Sequence, residues 1–534
     1  MKRNSTRFYR IDLRNHSSSY ELEELIKEFL RPDEYELMNS AIKRRSSKAS
    51  AIKKSGAGRR VTAAAENAEN NASPVRAYEE KREYDASSGS AKVPFTGLPP
   101  AGRKWNELLS MKYPDIRLPY EAGGGQLEKN KAKRFIYDSL AELTGYRPAW
   151  GTLTGVRPTK LANEMMSRDR LTYDQIADIF HNVYYVSDEK TQLVLDTCRN
   201  QSFITGSPAG RTAGVYIGIP FCPTRCLYCS FTSNQADESA MERYLEALLK
   251  EINAVGERMK QLDIKPESIY IGGGTPTSLS AGALQRLLDK VVDSFDMSEV
   301  KEFCTEAGRP DTITAEKLAV MKAHGVDRIS INPQSMNDST LRLIGRSHCV
   351  EDIYEAFRIA AESGIEHINT DLIAGLPGED HVMFMHTLDE VIRLAPDNIT
   401  VHTLAVKRAS RLREQDSDYH YSGGDEVGRM VSDAAATLRA NGYFPYYMYR
   451  QKHMTGNFEN VSYAKKGTES VYNIRIMDEH QTIIALGAGG ISKAYYDDGN
   501  RLERVPNVSN FEVYIQRIDE MIQRKDEKLY LPFE

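Results

Sequence analysis

The sequence predicts an α/β protein in which parallel strands alternate with helices. Three observations predict this class. Short apolar runs recur from residue 213 onwards, helical stretches separate them, and glycine or polar residues follow several of the runs. Such alternation indicates parallel strands joined by crossover helices. A doubly wound sheet and a barrel both fit the number of strands. In either fold, functional residues gather at the carboxyl ends of the strands.

Six apolar segments are the strand candidates of this region. They are VYIGIPF (215–221), SIYIGGG (268–274), EFCTEA (302–307), RISINPQ (328–334), HINTDLIAGLP (367–377) and NITVHTLAV (398–406). Between them lie stretches with apolar residues at helical spacing, for example SAMERYLEALLKEINAVGERMK and AGALQRLLDKVVDSF. Together they define a core region over residues 211–415.

The segments before this core differ in character. Residues 1–40 read as a small α/β piece, with RFYRIDL as a strand and SYELEELIKEFLRPDEYEL (19–37) at helical spacing. Residues 41–104 read as a flexible low-complexity linker. Its first twenty residues hold eight Lys or Arg and no acid. A solvated linker is the plain interpretation of this run, and contact with an anionic surface is the alternative.

The regions on either side of the core are expected to pack around it. Residues 105–210 are predicted to be mostly helical. Within them, RPAWGTLTGVRPTKLANEMM is predicted to form a turn followed by a helix that packs against the core. Residues 416–534 are predicted to form an α+β domain that covers the substrate. This domain mixes the helical EVGRMVSDAAATLRANG with the strand-like VYNIRIM and QTIIALGAG.

Composition and charge limit the cellular compartment and the kinds of partner that we expect. The chain has 534 residues, enough for two or more domains, and 40% of them are hydrophobic. A net charge near −5 argues against a general nucleic-acid binder. The N-terminus lacks the apolar stretch of a secretory signal, and no run is long enough to span a bilayer. We therefore expect a cytoplasmic protein with reduced cysteines, no membrane span and no nucleic-acid partner.

Three of the six cysteines, Cys222, Cys226 and Cys229, cluster in GVYIGIPFCPTRCLYCSF (214–231). Disulfides belong to oxidising compartments, which the absence of a signal argues against. A structural zinc site needs a fourth ligand nearby, and none follows Cys229. Three thiolates without a protein fourth ligand suit a [4Fe–4S] cluster with one iron left open, since such clusters are ordinarily held by four cysteines.

Other candidate residues follow the later strands. The second strand ends in GGGTPT (272–277), where backbone can approach a ligand closely. Glu306, Gln334 and Asp371 end the next three strands. Each alone is more often a turn or cap residue, but together they predict a polar ring at one end of the sheet. Arg346 follows Gln334 and fits either this ring or a surface charge.

The cysteine spacing C-x3-C-x2-C, with an aromatic residue before the last cysteine, is similar to the radical S-adenosylmethionine (SAM) signature. With GGGTPT, INPQSMNDSTLRLIGR and NTDLIAGLPGE, the sequence resembles oxygen-independent coproporphyrinogen III oxidases. PAWGTLTGVRPTK, YRQKHMTGNFENVSYAKKGTE and TIIALGAGGISK are similar to the HemZ-type branch of this family, which is related to HemN and HemW. The resemblance implies a partial (β/α)6 TIM-like radical SAM barrel, whose open iron binds SAM.

The resemblance also implies roles for individual residues. Cys222, Cys226 and Cys229 match the catalytic cluster ligands. The matching cofactor contacts are Tyr216, Tyr228, Gly273, Gly274, Thr275, Glu306, Gln334, Arg346, Asp371 and Ala405. A tetracarboxylate substrate needs cations, and Arg binds carboxylates through paired hydrogen bonds. The candidates are Lys407, Arg408, Arg411 and Arg450, with a solvated helix start as the alternative for the first three.

The implied activity is the decarboxylation of two coproporphyrinogen III propionates to vinyl groups through a 5′-deoxyadenosyl radical, in haem biosynthesis. Its partners are a porphyrinogen and an electron donor that the sequence does not identify. Gly218 stands where better-known members have His, and Phe231 stands where they have a fourth cysteine. CLYCSF is nearer to the motif of a haem chaperone relative. A protein that binds and delivers haem without oxidase activity is therefore the alternative.

Overall fold

A computed structural model describes residues 9–12, 19–31, 34–38, 76–79, 125–155, 157–208, 210–229, 233–407, 410–416, 419, 423–452 and 454–534. The chain forms two compact units, one of Met1–Thr154 with Asp178–Asp188 and one of Gly155–Ala177 with Glu189–Glu534. The basic run at 41–60 lies outside the described residues. Among those described, no helix combines the length and apolar character needed to cross a membrane.

The first unit contains a small sheet and two packed helices. Its elements are β1 (Tyr9–Asp12), α1 (Ser19–Phe29), β2 (Tyr35–Met38), β3 (Arg76–Glu79) and α2 (Gly125–Thr144). Strand β1 pairs in parallel with β2 and antiparallel with β3. Helix α1 packs on α2, where the Phe29 and Tyr137 rings meet edge to face at 5.3 Å. Burial of this shared apolar surface stabilises both helices.

Two features of this unit differ from the sequence prediction. The helical pattern extends to Leu37, but α1 ends at Phe29 and residues 35–38 form β2. Pro32 explains the difference, because proline lacks the N–H that a helix requires and restricts the residue before it. Strand β3 lies in the range predicted as linker, where the four-residue segment RAYE carries no periodic signal of its own. The predicted domain boundaries otherwise stay predictions.

The second unit contains most of the helices. They are α3 (Pro158–Ser167), α4 (Tyr173–Asn182, with residues of both units), α5 (Asp188–Gln201), α6 (Glu238–Gln261), α7 (Ala281–Ser294), α8 (Ala315–Ala323), α9 (Asp338–Leu343), α10 (Val350–Glu362), α11 (His381–Leu394), α12 (Arg411–Gln415), α13 (Gly424–Ala440), α14 (Val471–Asp478), α15 (Phe511–Gln516) and α16 (Ile518–Lys528). Several begin at side-chain caps: Asp237, Ser280 and Asp380 each accept a hydrogen bond from a backbone N–H in the first turn.

An open sheet of eleven strands organises this unit. The strands are β4 (Thr212–Ile219), β5 (Lys265–Gly273), β6 (Glu302–Glu306), β7 (Arg328–Ser330), β8 (His367–Ala374), β9 (Asn398–Thr403), β10 (Tyr443–Arg450), β11 (Glu459–Lys465), β12 (Ile483–Leu486), β13 (Ile491–Tyr496) and β14 (Arg501–Pro506). Their order is β10-β11-β9-β8-β7-β6-β5-β4-β12-β13-β14. Strands β4 to β9 run parallel, each beside the next, which confirms the predicted six-stranded α/β arrangement.

The chain after residue 416 extends this sheet at both ends. Strand β11 pairs antiparallel with β9, and β12 pairs in parallel with β4. The sequence prediction of a strand at VYNIRIM is wrong, because these residues form helix α14. The Ser470 side chain caps the helix, and the Glu302 carboxylate accepts hydrogen bonds from the N–H groups of Val471 and Tyr472. These tertiary contacts override the β-branched composition of the segment.

Candidate active site

A cavity of about 530 Å³ lies at the carboxyl ends of the parallel strands of the second unit. Its lining includes the three clustered cysteines and residues that follow β5, β6, β7 and β9. Asp371 was predicted to end its strand, but it lies within β8, whose last residue is Ala374. The predicted residues that line it are Tyr216, Cys222, Cys226, Tyr228, Cys229, Gly273, Gly274, Thr275, Glu306, Gln334, Arg346, Asp371, Ala405 and Lys407. One cavity therefore collects residues that are up to 191 positions apart (407 − 216).

The cysteine loop is fixed at its ends by backbone hydrogen bonds. Cys222 N–H donates to the Asn234 carbonyl at 3.1 Å, and Leu227 N–H donates to the Ile344 carbonyl at 2.9 Å. Cys226 is buried, whereas Cys222 and Cys229 are half-buried, and none of the three forms a disulfide. Burial raises the pKa of the Cys222 thiol to about 11. Metal binding would therefore have to displace its proton.

The glycine-containing turn after β5 packs closely against the cysteine loop. Gly274 N–H donates to the Ile219 carbonyl at 2.8 Å, and Thr275 N–H donates to the Phe221 carbonyl at 2.7 Å. A Cβ atom on Gly274 would lie 2.5 Å from the Phe221 carbonyl oxygen. The Thr275 hydroxyl lies 3.4 Å from the Cys222 sulfur. Only a residue without a side chain allows this approach, so the turn sets the position of the first cysteine.

Glu306 and two aromatic rings form one wall of the cavity. The Tyr270 hydroxyl donates to Glu306 Oε1 at 2.6 Å, and the Tyr270 and Tyr472 rings stack at 4.5 Å. Burial raises the pKa of Glu306 to about 7, although the Tyr270 hydrogen bond acts in the opposite direction. Tyr270 and Tyr472 were not among the residues predicted from the sequence. Tyr270 could have been found, because strand alternation places it on the same face as Gly272.

Gln334 and Asp371 are joined through their backbones. Gln334 N–H donates to the Asp371 carbonyl, and Ile373 N–H donates to the Gln334 carbonyl. Gln334 has φ of 69°, a left-handed conformation that is rare for a residue with a side chain. Strained backbone of this kind is frequently found at functional sites. The His402 ring nitrogen lies 3.5 Å from Asp371 Oδ2, so a histidine also lines this wall.

Arg346 is buried beside the aromatic residue of the cysteine motif. It donates to the Asn332 carbonyl at 2.6 Å and to the Tyr228 hydroxyl at 3.3 Å. Arg346 Nε and Asn332 Oδ1 are buried without a hydrogen-bond partner in the described part of the chain. Because buried polar groups are nearly always paired, these two atoms indicate a polar ligand in the cavity.

Arg309 also lines the cavity and was not among the residues predicted from the sequence. It follows Glu306 in the loop after β6 and is 3% exposed. Its guanidinium donates to Thr224 Oγ1 at 2.9 Å and lies 3.9 Å from the Cys226 sulfur. An arginine in a loop carries no distinctive sequence signal, so only the tertiary arrangement reveals its contact with the cysteine motif.

The predicted substrate residues do not all reach the cavity. Lys407 lines it, and burial lowers the pKa of its ammonium group. Arg411 lies at the exposed start of α12, where Ser410 caps the helix. Arg450 is buried at the end of β10 and donates to the Asn457 carbonyl at 3.1 Å. Neither arginine lines the cavity, and Arg408 lies outside the described residues.

The donor set fits an iron–sulfur cluster better than a single ion. Across the described ranges, no group of three His, Cys, Asp or Glu side chains is arranged to hold one metal ion. In a cubane cluster each thiolate binds a different iron, so its sulfurs need not converge on one point. Three thiols, a glycine turn against the first of them, and unpaired Arg346 and Asn332 atoms together suit a cluster with a polar cofactor beside it.

The chain is similar to several known proteins. Residues 216–391 match the model of the Radical SAM superfamily. The chain is 41% identical over 408 residues (75% of this chain and 81% of the relative) to oxygen-independent coproporphyrinogen-III oxidase-like protein HemZ of Bacillus subtilis. It is 32% identical over 299 residues (55% and 74%) to heme chaperone HemW of the same organism. The solved coproporphyrinogen III oxidase HemN of Escherichia coli is 23% identical, with a TM-score of 0.46, over 58% of this chain and 70% of that one.

Proposed function

Because this chain belongs to the radical SAM superfamily, in the family of oxygen-independent coproporphyrinogen-III oxidase-like proteins, we propose that it converts coproporphyrinogen III to protoporphyrinogen IX. Radical SAM proteins use a [4Fe–4S] cluster and SAM. The observation that carries the proposal is one cavity in which three cysteines, a carboxylate wall and a lysine meet. Two of the substrate's propionates would lose CO₂ in this cavity and become vinyl groups.

In this proposal, Cys222, Cys226 and Cys229 hold the cluster. SAM occupies the surrounding ring of Tyr216, Tyr228, Gly273, Gly274, Thr275, Glu306, Gln334, Arg346, Asp371 and Ala405. When bound, the two groups together supply a 5′-deoxyadenosyl radical, which is chemistry that no protein side chain offers. Arg346 suits a carboxylate, and Glu306 and Asp371 suit cationic or hydroxyl groups. The protein contributes orientation and the exclusion of water.

The substrate reaction balances for each propionate. One hydrogen atom is lost from the carbon β to the carboxylate, and its removal is the chemistry that bound SAM and the cluster would supply. The bond to the carboxyl carbon then breaks, CO₂ leaves, one electron passes to a one-electron acceptor, and a carbon–carbon double bond remains. Lys407 lines the cavity and offers a cation for a propionate that is not reacting. An ammonium binds a carboxylate through a charge-assisted hydrogen bond.

Anaerobic turnover tests the proposal. Reconstituted protein is incubated with coproporphyrinogen III, SAM, a reductant and a one-electron acceptor, and we expect protoporphyrinogen IX together with 5′-deoxyadenosine. The C226S variant should form neither. K407M should raise KM for coproporphyrinogen III about tenfold or more, since a charge-assisted hydrogen bond contributes roughly 1.5–3 kcal/mol. R411M is the matched control, because Arg411 lies outside the cavity. A protein with a full cluster and SAM that forms no product would overturn the proposal.

A haem-binding delivery protein is the second candidate. It is favoured by the 32% identity to heme chaperone HemW and by His402 in the cavity lining, since histidine is a common axial ligand of haem iron. Haem uptake and product formation distinguish the two functions. A chaperone should take up haem stoichiometrically without SAM, lose this uptake in H402A, and form no protoporphyrinogen.

A further inference from the structure

Arg309 is a cation enclosed by protein beside one of the cavity cysteines. The residue is 3% exposed, and its Nη1 atom contacts both Thr224 Oγ1 (2.9 Å) and the Cys226 sulfur (3.9 Å). Thr224 in turn donates to the Gly345 carbonyl at 2.9 Å. The guanidinium therefore contacts the loop that carries the cysteine motif at two points, one of which is a sulfur atom.

The other face of the guanidinium is held by a fixed set of acceptors. Nε and Nη2 donate to the two carboxylate oxygens of Asp311 at 3.0 and 3.1 Å. Nη2 also donates to Ser347 Oγ at 2.8 Å, and the Ser347 hydroxyl donates to Asp311 at 2.6 Å. This paired geometry leaves the guanidinium little freedom to turn away from Cys226.

We propose that Arg309 is a positioning residue that holds the cysteine loop and makes the [4Fe–4S] cluster easier to reduce. The inference rests on the proposed assignment of the three cysteines as cluster ligands. Reduction adds a negative charge to the cluster, and the attraction between that charge and a buried cation next to a ligating sulfur is only weakly screened. Groups that hydrogen-bond a ligating sulfur tune the reduction potential of such clusters.

The test is the midpoint potential of the cluster, measured in the full chain under anaerobic conditions by EPR-monitored titration without substrate. Iron and sulfide content are measured first for each protein. R309M keeps a long side chain but removes the charge, and R309K keeps a charge. R328M is the matched control. Arg328 is also 3% exposed and paired with a carboxylate (Glu302, 3.1 Å), but it begins β7 and does not line the cavity.

We expect R309M to shift the midpoint to a more negative potential, with an equilibrium constant for reduction about tenfold smaller, which is 59 mV for a one-electron couple. R309K should recover part of this shift, and R328M should show none. Equal midpoints for R309M and the unsubstituted protein would overturn the inference but leave the cluster assignment intact. Failure of the unsubstituted protein to assemble any cluster would instead remove the proposed function.

If R309M assembles no cluster, D311N carries the test. This variant keeps the guanidinium and removes the carboxylate beside it, so the surroundings of the cluster become more positive. The inference then requires a shift to a less negative midpoint. An unchanged or more negative midpoint in D311N would contradict it.

Discussion

The pKa of the Glu306 carboxyl group is set by its surroundings. It stands at the end of β6, where the Tyr270 hydroxyl donates to it and the Asp371 carboxylate lies near enough to oppose its ionisation. Burial is the largest influence and raises its pKa to about 7. The charge of the cavity wall therefore changes within the physiological pH range.

SAM binding should depend on this charge. SAM carries cationic groups, which an ionised Glu306 attracts and a protonated Glu306 does not. As the pH falls through about 7 the carboxylate is neutralised, so we expect affinity for SAM to be about tenfold weaker at pH 6 than at pH 8. Equilibrium dialysis at both pH values measures this ratio. E306Q should bind weakly with a ratio near one; a full ratio in E306Q would assign the dependence to another group.

Cys226 and Arg309 illustrate what could and could not be predicted at this scale. The spacing of the three cysteines is a local pattern, so the sequence alone predicts them as a set. Arg309 and Tyr472 contribute through contacts between segments distant in the chain, and Thr224 meets Arg309 only in the folded protein. Arg411 is the opposite case. It was predicted to bind substrate, but it is exposed at the start of α12, which Ser410 caps.

At the scale of elements, the turn after β5 is the part that orders the cavity. Its backbone donates to Ile219 and Phe221, the residues that precede the first cysteine. The strand and the turn were both predictable from SIYIGGG. The need for glycine at position 274 was not predictable, because it comes from the close approach of two segments distant in the chain and not from the local backbone conformation.

G274A tests this close approach. The added Cβ would meet the Phe221 carbonyl at 2.5 Å and the Cys222 sulfur at 3.0 Å, and backbone cannot yield easily. We expect iron and sulfide content after reconstitution to fall at least several-fold. G282A is the matched control, because nothing lies within 4 Å of its Cβ at the start of α7. It should keep full content and gain about 0.5–1 kcal/mol of stability. Full cluster content in G274A would show that the turn is not needed.

At the scale of the whole molecule, the C-terminal helices are attached to the sheet by a buried ionic network. Lys525 on α16 donates to Glu251 on α6 at 2.6 Å, and both side chains are almost completely buried. Glu251 also accepts hydrogen bonds from Tyr514 and from the backbone of Gly487. One carboxylate thus joins α6, α15, α16 and the turn after β12.

K525M should destabilise the protein strongly. Removing the ammonium leaves the Glu251 carboxylate buried and without its ionic partner, which typically costs about 3–5 kcal/mol. Urea unfolding followed by circular dichroism measures this loss. The same two helices supply the control: Lys250 and Asp519 form an exposed pair, so K250M should cost only about 0–1 kcal/mol. Similar losses for both variants would argue against a special role of the buried pair.

The parallel order of β4 to β9 was predictable at this scale, because strands joined through a crossover helix run parallel and consecutive strands tend to be neighbours in the sheet. The completion of the sheet was not. Strand β11 pairs with β9, β10 pairs with β11, and β12 pairs with β4, although no sequence pattern specifies which strands from distant parts of the chain will meet. The prediction of a strand at VYNIRIM was wrong for a related reason, since the distant Glu302 on β6 accepts a hydrogen bond from the first turn of the helix that forms there.

The parallel pairing of β12 with β4 bears on how the protein matures in the cell. In synthesis, β12 follows β4 by more than 260 residues (483 − 219 = 264), so the outer edge of the strand that leads into the cysteine loop stays uncovered during that interval. Exposed strand edges invite association with other chains. A nascent polypeptide that received iron and sulfide before β12 was made would do so beside an unpaired strand edge, so metal delivery should follow the synthesis and pairing of β12.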